Sequence, residues 1–234
     1  MNYKIIQDEV KFKEFINWLP ELKENECFYL CLFARNKYVR DTPEYFAHIK
    51  SDKAQIKRFI VNRKQDIYNK VKQLEVEIGA YTTKDNLPVP QQALALYITV
   101  NPRNQLKAAR LMLEISADLI IKSNTGFNIA TEALSAIQKS IGTKHYYDVD
   151  IDLKDKSEIK FVIDEIYDYV NNDAITLIET RGGLHALIEL SKIKEQHVKS
   201  WYNNIKHISG VDIQGDNMIP VIGCTQGNFT PKFI

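Results

Sequence analysis

Two hydrophobic rhythms alternate along the chain, one close to the helical repeat and one of strand type. Phe12, Phe15, Ile16 and Leu19 recur at helical spacing, and Pro20 ends that run. Cys27 to Phe33 is an unbroken aromatic and aliphatic stretch of strand length. Across residues 50–78, Ile56, Phe59, Ile60, Ile67, Val71, Leu74 and Ile78 are interleaved with basic residues at roughly helical spacing, which predicts basic helices. Asn86 to Pro90 is a loop, and Ala95 to Val100 is a strand stopped by Asn101-Pro102. Gln105 to Ile121 predicts a long helix with Ala108, Leu111, Met112, Ile115 and Leu119 on one side, and Asn128 to Ile141 a second helix.

The second half opens with His145 to Asp152, which reads as a strand. Ser157 is placed to cap a helix over Glu158 to Val170. Ala174 to Glu179 and Leu184 to Leu190 flank Arg181-Gly-Gly183 and predict a hairpin. A further helix is expected from Ser191 to about His207, and a short strand over Ile219 to Ile222. Strands interrupted by helices, with an antiparallel hairpin among them, predict an α+β (mixed α/β) fold. The expected arrangement is a central mixed sheet with flanking helices, preceded by a separate N-terminal α/β or helical portion. The boundary falls near residue 90, dividing 1–90 from 91–234.

Composition narrows the class. The 234 residues are 44% hydrophobic and 26% charged, as in an ordinary globular protein. A formal net charge of +1 exerts no global pull on nucleic acid or an anionic membrane, so any such partner needs a local patch. Cys27, Cys31 and Cys224 are too few and too irregular for a disulfide framework or a zinc module. No apolar run approaches the roughly 20 residues of a membrane span, and the N-terminus carries no apolar signal region. No membrane partner is expected, and the expected setting is the cytoplasm.

The candidate chemistry lies in the second half. Alternation puts Asp148, Asp150 and Asp152 on one strand face, with Val149 and Ile151 on the other. Same-face neighbours are about 7 Å apart at Cα. Carboxylates so placed converge on hard, oxygen-seeking ions, Mg²⁺ or Mn²⁺. Further on, Gly182 and Gly183 permit close approach of backbone to a turn or a ligand. Arg181 and His185 beside them can donate to phosphate oxygens. Asp212 follows an apolar residue as a strand aspartate does, and Asp216 sits in the turn sequence Gly-Asp-Asn; either can complete a three-carboxylate site.

Tyr147-Asp148-Val149-Asp150, Gly183-Leu184-His185 and Val211-Asp212, in that order, resemble the motifs of the archaeo-eukaryotic primase superfamily, the primase-polymerase catalytic core. The Gly-Gly-x-His form is similar to phage and mobile-element members. Leu96 to Arg103 resembles the strand and loop upstream of the first motif, and Pro220 to Gly227 the glycine-rich end after the third. The resemblance spans about residues 94–234, which it marks as the catalytic core, and gives 1–90 no counterpart. Two departures stand out: Gly183 occupies the family's serine position, and no late basic residue follows Asp212 before Gly223.

The resemblance implies a DNA-directed primase or polymerase, a nucleotidyltransferase for phage or mobile-element DNA replication. Asp148 and Asp150 would be shared metal ligands, with Asp212 the third and Asp216 its alternate. His185 would hold the incoming triphosphate, Gly183 would line the nucleotide site, and Arg181 or Arg103 would clamp phosphate. The implied partners are a single-stranded DNA template, nucleoside triphosphates, and a helicase or other replication protein acting in trans. A template also needs a basic track. The candidates are Lys57, Arg58, Arg63 and Lys64 in the stretch 50–72, and Arg103, Lys107 and Arg110. Tyr97, Tyr146 and Tyr147 offer rings for stacking bases, a role that competes with ordinary core packing. Two alternatives use the same residues: a metal-dependent nuclease, and a catalytically inactive nucleic-acid-binding module of the same fold. The chain ends soon after the third motif, which suggests the trimmed core of a longer protein.

Overall fold

Ten consecutive buried residues, Glu26–Arg35, form strand β1, the axis of the first of two sheets. The computed structural model describes residues 1–42, 53–83, 85–122, 127–153 and 155–234. On one side of β1 runs β2 (Lys53–Val61), on the other β3 (Leu94–Thr99), then β9 (Met218–Pro220), all antiparallel. A two-residue strand, β4 (Arg103–Asn104), pairs with the start of β1. Because successive side chains alternate, β1 divides its bulk between two layers. Phe28, Leu30, Leu32 and Ala34 pack with Phe12, Phe15 and Ile16 of α1 (Glu9–Trp18) and Ile67 and Val71 of α2 (Ile67–Lys72). Tyr29, Cys31 and Phe33 lie on the other layer with Ala95 and Tyr97 of β3.

The second sheet has the order β10-β6-β7-β5-β8 and is antiparallel throughout. Its strands are β5 (Tyr146–Ile151), β6 (Ile175–Glu179), β7 (Leu184–Glu189), β8 (Val211–Gly215) and β10 (Lys232–Phe233). Helix α5 (Lys156–Tyr167) joins β5 to β6, and α6 (Trp201–Ile205) lies between β7 and β8. The path β-α-β-β-α-β with β5 between β7 and β8 is the split βαβ arrangement. One face of this sheet, with Tyr147, Val149, Ile151, Leu184, Ala186 and Ile188, packs on Val162, Ile163 and Ile166 of α5 and Trp201 and Ile205 of α6. The opposite face holds Asp148, Asp150 and His185, and its Ile178 and Leu187 join the core of the first sheet. The aspartate face is therefore turned towards the first sheet.

The mixed α+β character matches the sequence reading, but in place of the single mixed sheet expected the described residues form two sheets, both antiparallel. Residue 90 does not separate them, since the first sheet combines β1 and β2 with β3 and β9 from beyond it. The stretch read as basic helices is β2 from Lys53 to Val61, and α-helix begins only at Ile67, after a 3₁₀ turn over Lys64–Asp66. Its Lys53-Ala-Gln-Ile-Lys57 alternation, exposed then half-buried, fits an edge strand, and β1 supplies its backbone partners. Lys50, at the head of that stretch, lies outside the described residues.

Helix α3 (Gln105–Lys122) and helix α4 (Ile129–Lys139, capped by Asn128) fall where periodicity puts them. Helix α5 starts earlier than expected, because Asp155 rather than Ser157 is the cap, accepting from the backbone N–H groups of Ser157 and Glu158. The helix expected from Ser191 shrinks to α6. Leu190–Lys192 and Glu195–His197 are short 3₁₀ turns, and Ile193 between them bridges Val170 through Asn171 N–H to Lys192 O and Lys194 N–H to Tyr169 O.

Candidate active site

Strand register assembles the site. Asp150 stands opposite His185 on β7 and opposite Asp212 on β8. Directly opposed residues in an antiparallel pair share a face, so three segments distant in sequence meet in one row. Asp148 lies two residues along the same face. It is wholly buried, whereas Asp150 is half-buried and Asp212 and Asp152 are exposed.

His185 donates from Nδ1 to Asp148 Oδ1 at 2.9 Å, and its Nε2 lies 3.9 Å from Asp150 Oδ1. Burial opposes charge on the ring, but the Asp148 hydrogen bond and the neighbouring carboxylates outweigh it and raise its pKa above the usual 6.5. The Asp150 pKa is also raised, chiefly by burial; His185 opposes this, while Asp152, Asp148 and Asp212 add to it. The second oxygen of Asp148, Oδ2, is buried with no hydrogen-bond partner among the described residues. Among the described residues, no three His, Cys, Asp or Glu side chains converge as a ready metal cluster.

The aspartates form one wall of a cleft of about 520 Å³ between the two sheets. The facing wall comes from the first sheet and is cationic. Arg35 ends β1, Lys53 begins β2 directly opposite it, and Lys37 follows in the short 3₁₀ turn after β1. Arg35 is buried, donates to the Tyr97 hydroxyl at 2.9 Å, and lies over the rings of Tyr38 and Tyr97. The Lys53 ammonium sits 5.8 Å from the ring centroids of both Phe33 and Tyr97. Sequence reading missed these residues as site members. Arg35 had no signal beyond its place at the end of an apolar strand, and Lys53 looked like any other lysine of a basic run. Of the rings considered for stacking, Tyr97 lines the cleft, while Tyr146 stacks on Trp18 and Tyr147 meets Trp201 in the core.

The remaining expected residues are placed differently. Arg103 is buried in an ion pair with Asp216, which also accepts from Asn101 Nδ2. Neither lines the aspartate cleft. Arg103 as a phosphate clamp and Asp216 as the alternate third ligand give way to this mutual pair. Arg181 lies over the Tyr38 ring at 4.5 Å, beside the cleft, and its N–H donates to Gln226 Oε1, which belongs to the cleft lining.

Gly183 abuts the end of β5. A Cβ there would stand 2.8 Å from the Ile151 carbonyl oxygen and 3.3 Å from Asp152 Oδ1, so the position has no room for a serine.

The five basic residues proposed as a nucleic-acid track do not form one. Lys57 and Arg58 point to opposite sides of β2. Arg63 is paired with Asp66. Lys64 caps α1 by donating to the carbonyls of Asn17 and Leu19, and Lys107 donates to the carbonyl of Ile141.

No protein-family model matches the chain, and neither a curated protein nor a solved structure matches it. Among the described residues no helix is long and apolar enough to cross a membrane.

Proposed function

We propose that the chain is a template-dependent nucleotidyltransferase of the primase-polymerase type, a DNA-directed primase or polymerase that adds nucleotides to a 3′-hydroxyl. The observation that carries this reading is the pair of opposed walls: Asp148, Asp150 and Asp152 face Arg35, Lys37 and Lys53 across one cleft. A ligand that satisfies both walls carries divalent cations at one end and several anionic oxygens at the other. A metal-bound nucleoside triphosphate has that form.

The buried, unpartnered Asp148 Oδ2 supports a cation there, since a buried anionic oxygen without a partner is costly. Asp148 and Asp150, with Asp212 beside them, would hold Mg²⁺ or Mn²⁺, whose chemistry when bound is to activate the 3′-hydroxyl and neutralise the departing pyrophosphate. His185, held by Asp148, presents Nε2 to the space beside Asp150 and would donate to a phosphate oxygen. Arg35 is fixed by Tyr97 and would bind the triphosphate without first losing side-chain freedom. These first-sheet cations would supply the charge that the sequence lacks between Asp212 and Gly223. A single-stranded DNA template and a replication helicase in trans belong to the same proposal.

The test is primer extension on a single-stranded DNA template with nucleoside triphosphates and Mn²⁺. Products longer than the primer are expected from the wild type and none from Asp148→Ala or Asp150→Ala. Lys53→Ala should raise the nucleotide concentration needed for half-maximal rate. Shorter products would favour the nuclease alternative, and full activity in either aspartate variant would sink the assignment.

A further inference from the structure

Helix α3 is apolar on two opposite faces. With about 100° between successive residues, Ala108, Leu111, Ile115 and Leu119 fall on one side, and Leu106, Leu113, Ala117 and Ile120 on the other. The first side is turned inward, with Ala108 buried and Leu111, Ile115 and Leu119 half-buried. The second side is open: Leu106 is 52% exposed, Leu113 72% and Ile120 83%, with Ile121 beside them at 78%. Single exposed aliphatic residues are commonplace, but a contiguous stripe of them marks a contact surface. Leu106, Leu113 and Ile120 are each seven residues apart, the repeat that keeps one seam facing a second helix.

The charges along one edge of that stripe identify the second helix. Lys107 and Arg110 come first, then Glu114 and Asp118, all on exposed positions. A parallel copy would set this charged edge against the opposite edge of the other helix, where Ala109 and Ser116 carry no charge. An antiparallel copy centred on Leu113 sets Leu106 against Ile120 and puts Arg110 beside the other copy's Glu114. Lys107 already donates to the Ile141 carbonyl, so Arg110 carries most of this cationic contact. Such a pairing is isologous, the same patch serving both copies, and it closes without leaving an open end. We infer that α3 is a self-association helix, through which two copies of this chain pair antiparallel along Leu106, Leu113 and Ile120.

The seam is short, so the dimer is weak and its population depends on concentration. Sedimentation velocity on the full chain across the micromolar range should show the mass rising from one copy to two. Leu113→Glu should hold the protein at the monomer mass at every concentration. Arg110→Glu should weaken association by about tenfold, because attraction becomes repulsion. Adding Glu114→Arg to Arg110→Glu should recover part of the loss. Circular dichroism controls for folding, which these exposed substitutions should leave intact. A wild type that stays monomeric throughout, a dimer indifferent to Leu113→Glu, or a double variant no better than Arg110→Glu alone would each overturn the inference.

Discussion

His185 holds Asp148 through Nδ1 at 2.9 Å while its other nitrogen turns towards Asp150. A buried carboxylate thus orients the imidazole, and the imidazole leaves one Asp148 oxygen without a partner among the described residues. This arrangement accumulates negative charge that a divalent cation would relieve. Mn²⁺ at about 100 times its dissociation constant should therefore stabilise the wild type by about 2.7 kcal/mol. That corresponds to roughly 5–10 °C in melting temperature for a chain of this size. Asp148→Asn should abolish the metal-dependent rise without lowering the metal-free melting temperature by a similar amount. An equal rise in Asp148→Asn, read by thermal shift, would remove Asp148 from the site.

Glu26 governs a distinct acid sensitivity. Its carboxylate is 5% exposed and accepts from the backbone N–H of Thr143 at 2.6 Å and of Lys23 at 3.0 Å. Burial raises its pKa, but these hydrogen bonds outweigh burial and hold it below the usual 4.5. A depressed carboxylate contributes stability above its unfolded pKa, and that contribution disappears as pH falls through the folded value. Glu26→Gln should lower stability by about 2 kcal/mol at neutral pH. It should also flatten the loss of stability below about pH 4.5, measured by denaturant titration across pH.

Gly183 permits β7 to approach the end of β5. Gly183→Ser would drive a Cβ into the Ile151 carbonyl. The expected cost is about 1–3 kcal/mol, as for overpacking elsewhere, with a lower melting temperature and no gain in nucleotide affinity. A Gly183→Ser protein as stable as the wild type would show that the hairpin can yield.

Arg103 is buried and the Asp216 side chain beside it is 12% exposed, so removing one partner strands the other's charge. Arg103→Met alone should cost about 3–5 kcal/mol, while Arg103→Met with Asp216→Leu should recover most of it. A double-mutant cycle by chemical denaturation measures the coupling. Additive losses would mean that the pair contributes nothing of its own.

Helices α3 and α4 were legible because each carries its own periodicity, and α4 its own cap in Asn128. The hairpin of β6 and β7 was legible from Arg181-Gly-Gly183 between two apolar runs. The stretch 53–61 was not. Its apolar residues suit either period, and only the neighbouring β1 decides between them, since a strand draws its hydrogen bonds from other segments while a helix supplies its own. Lys64 likewise looks like a solvated lysine until α1 ends beneath it.

The local sequence alone determined that Asp148 and Asp150 share a strand face, because a two-residue period is a property of the extended backbone. It also singled out His185 and Asp212, the residues that register sets on either side of Asp150. Only the tertiary structure decided what confronts them. Arg35 and Lys53 reach the cleft because β1 and β2 pair end to end and their sheet lies over the aspartate face. That decision rests on strand pairing and layer packing across more than a hundred residues, and no local pattern encodes it. The same packing withdrew Arg103 and Asp216 from the site by pairing them with each other.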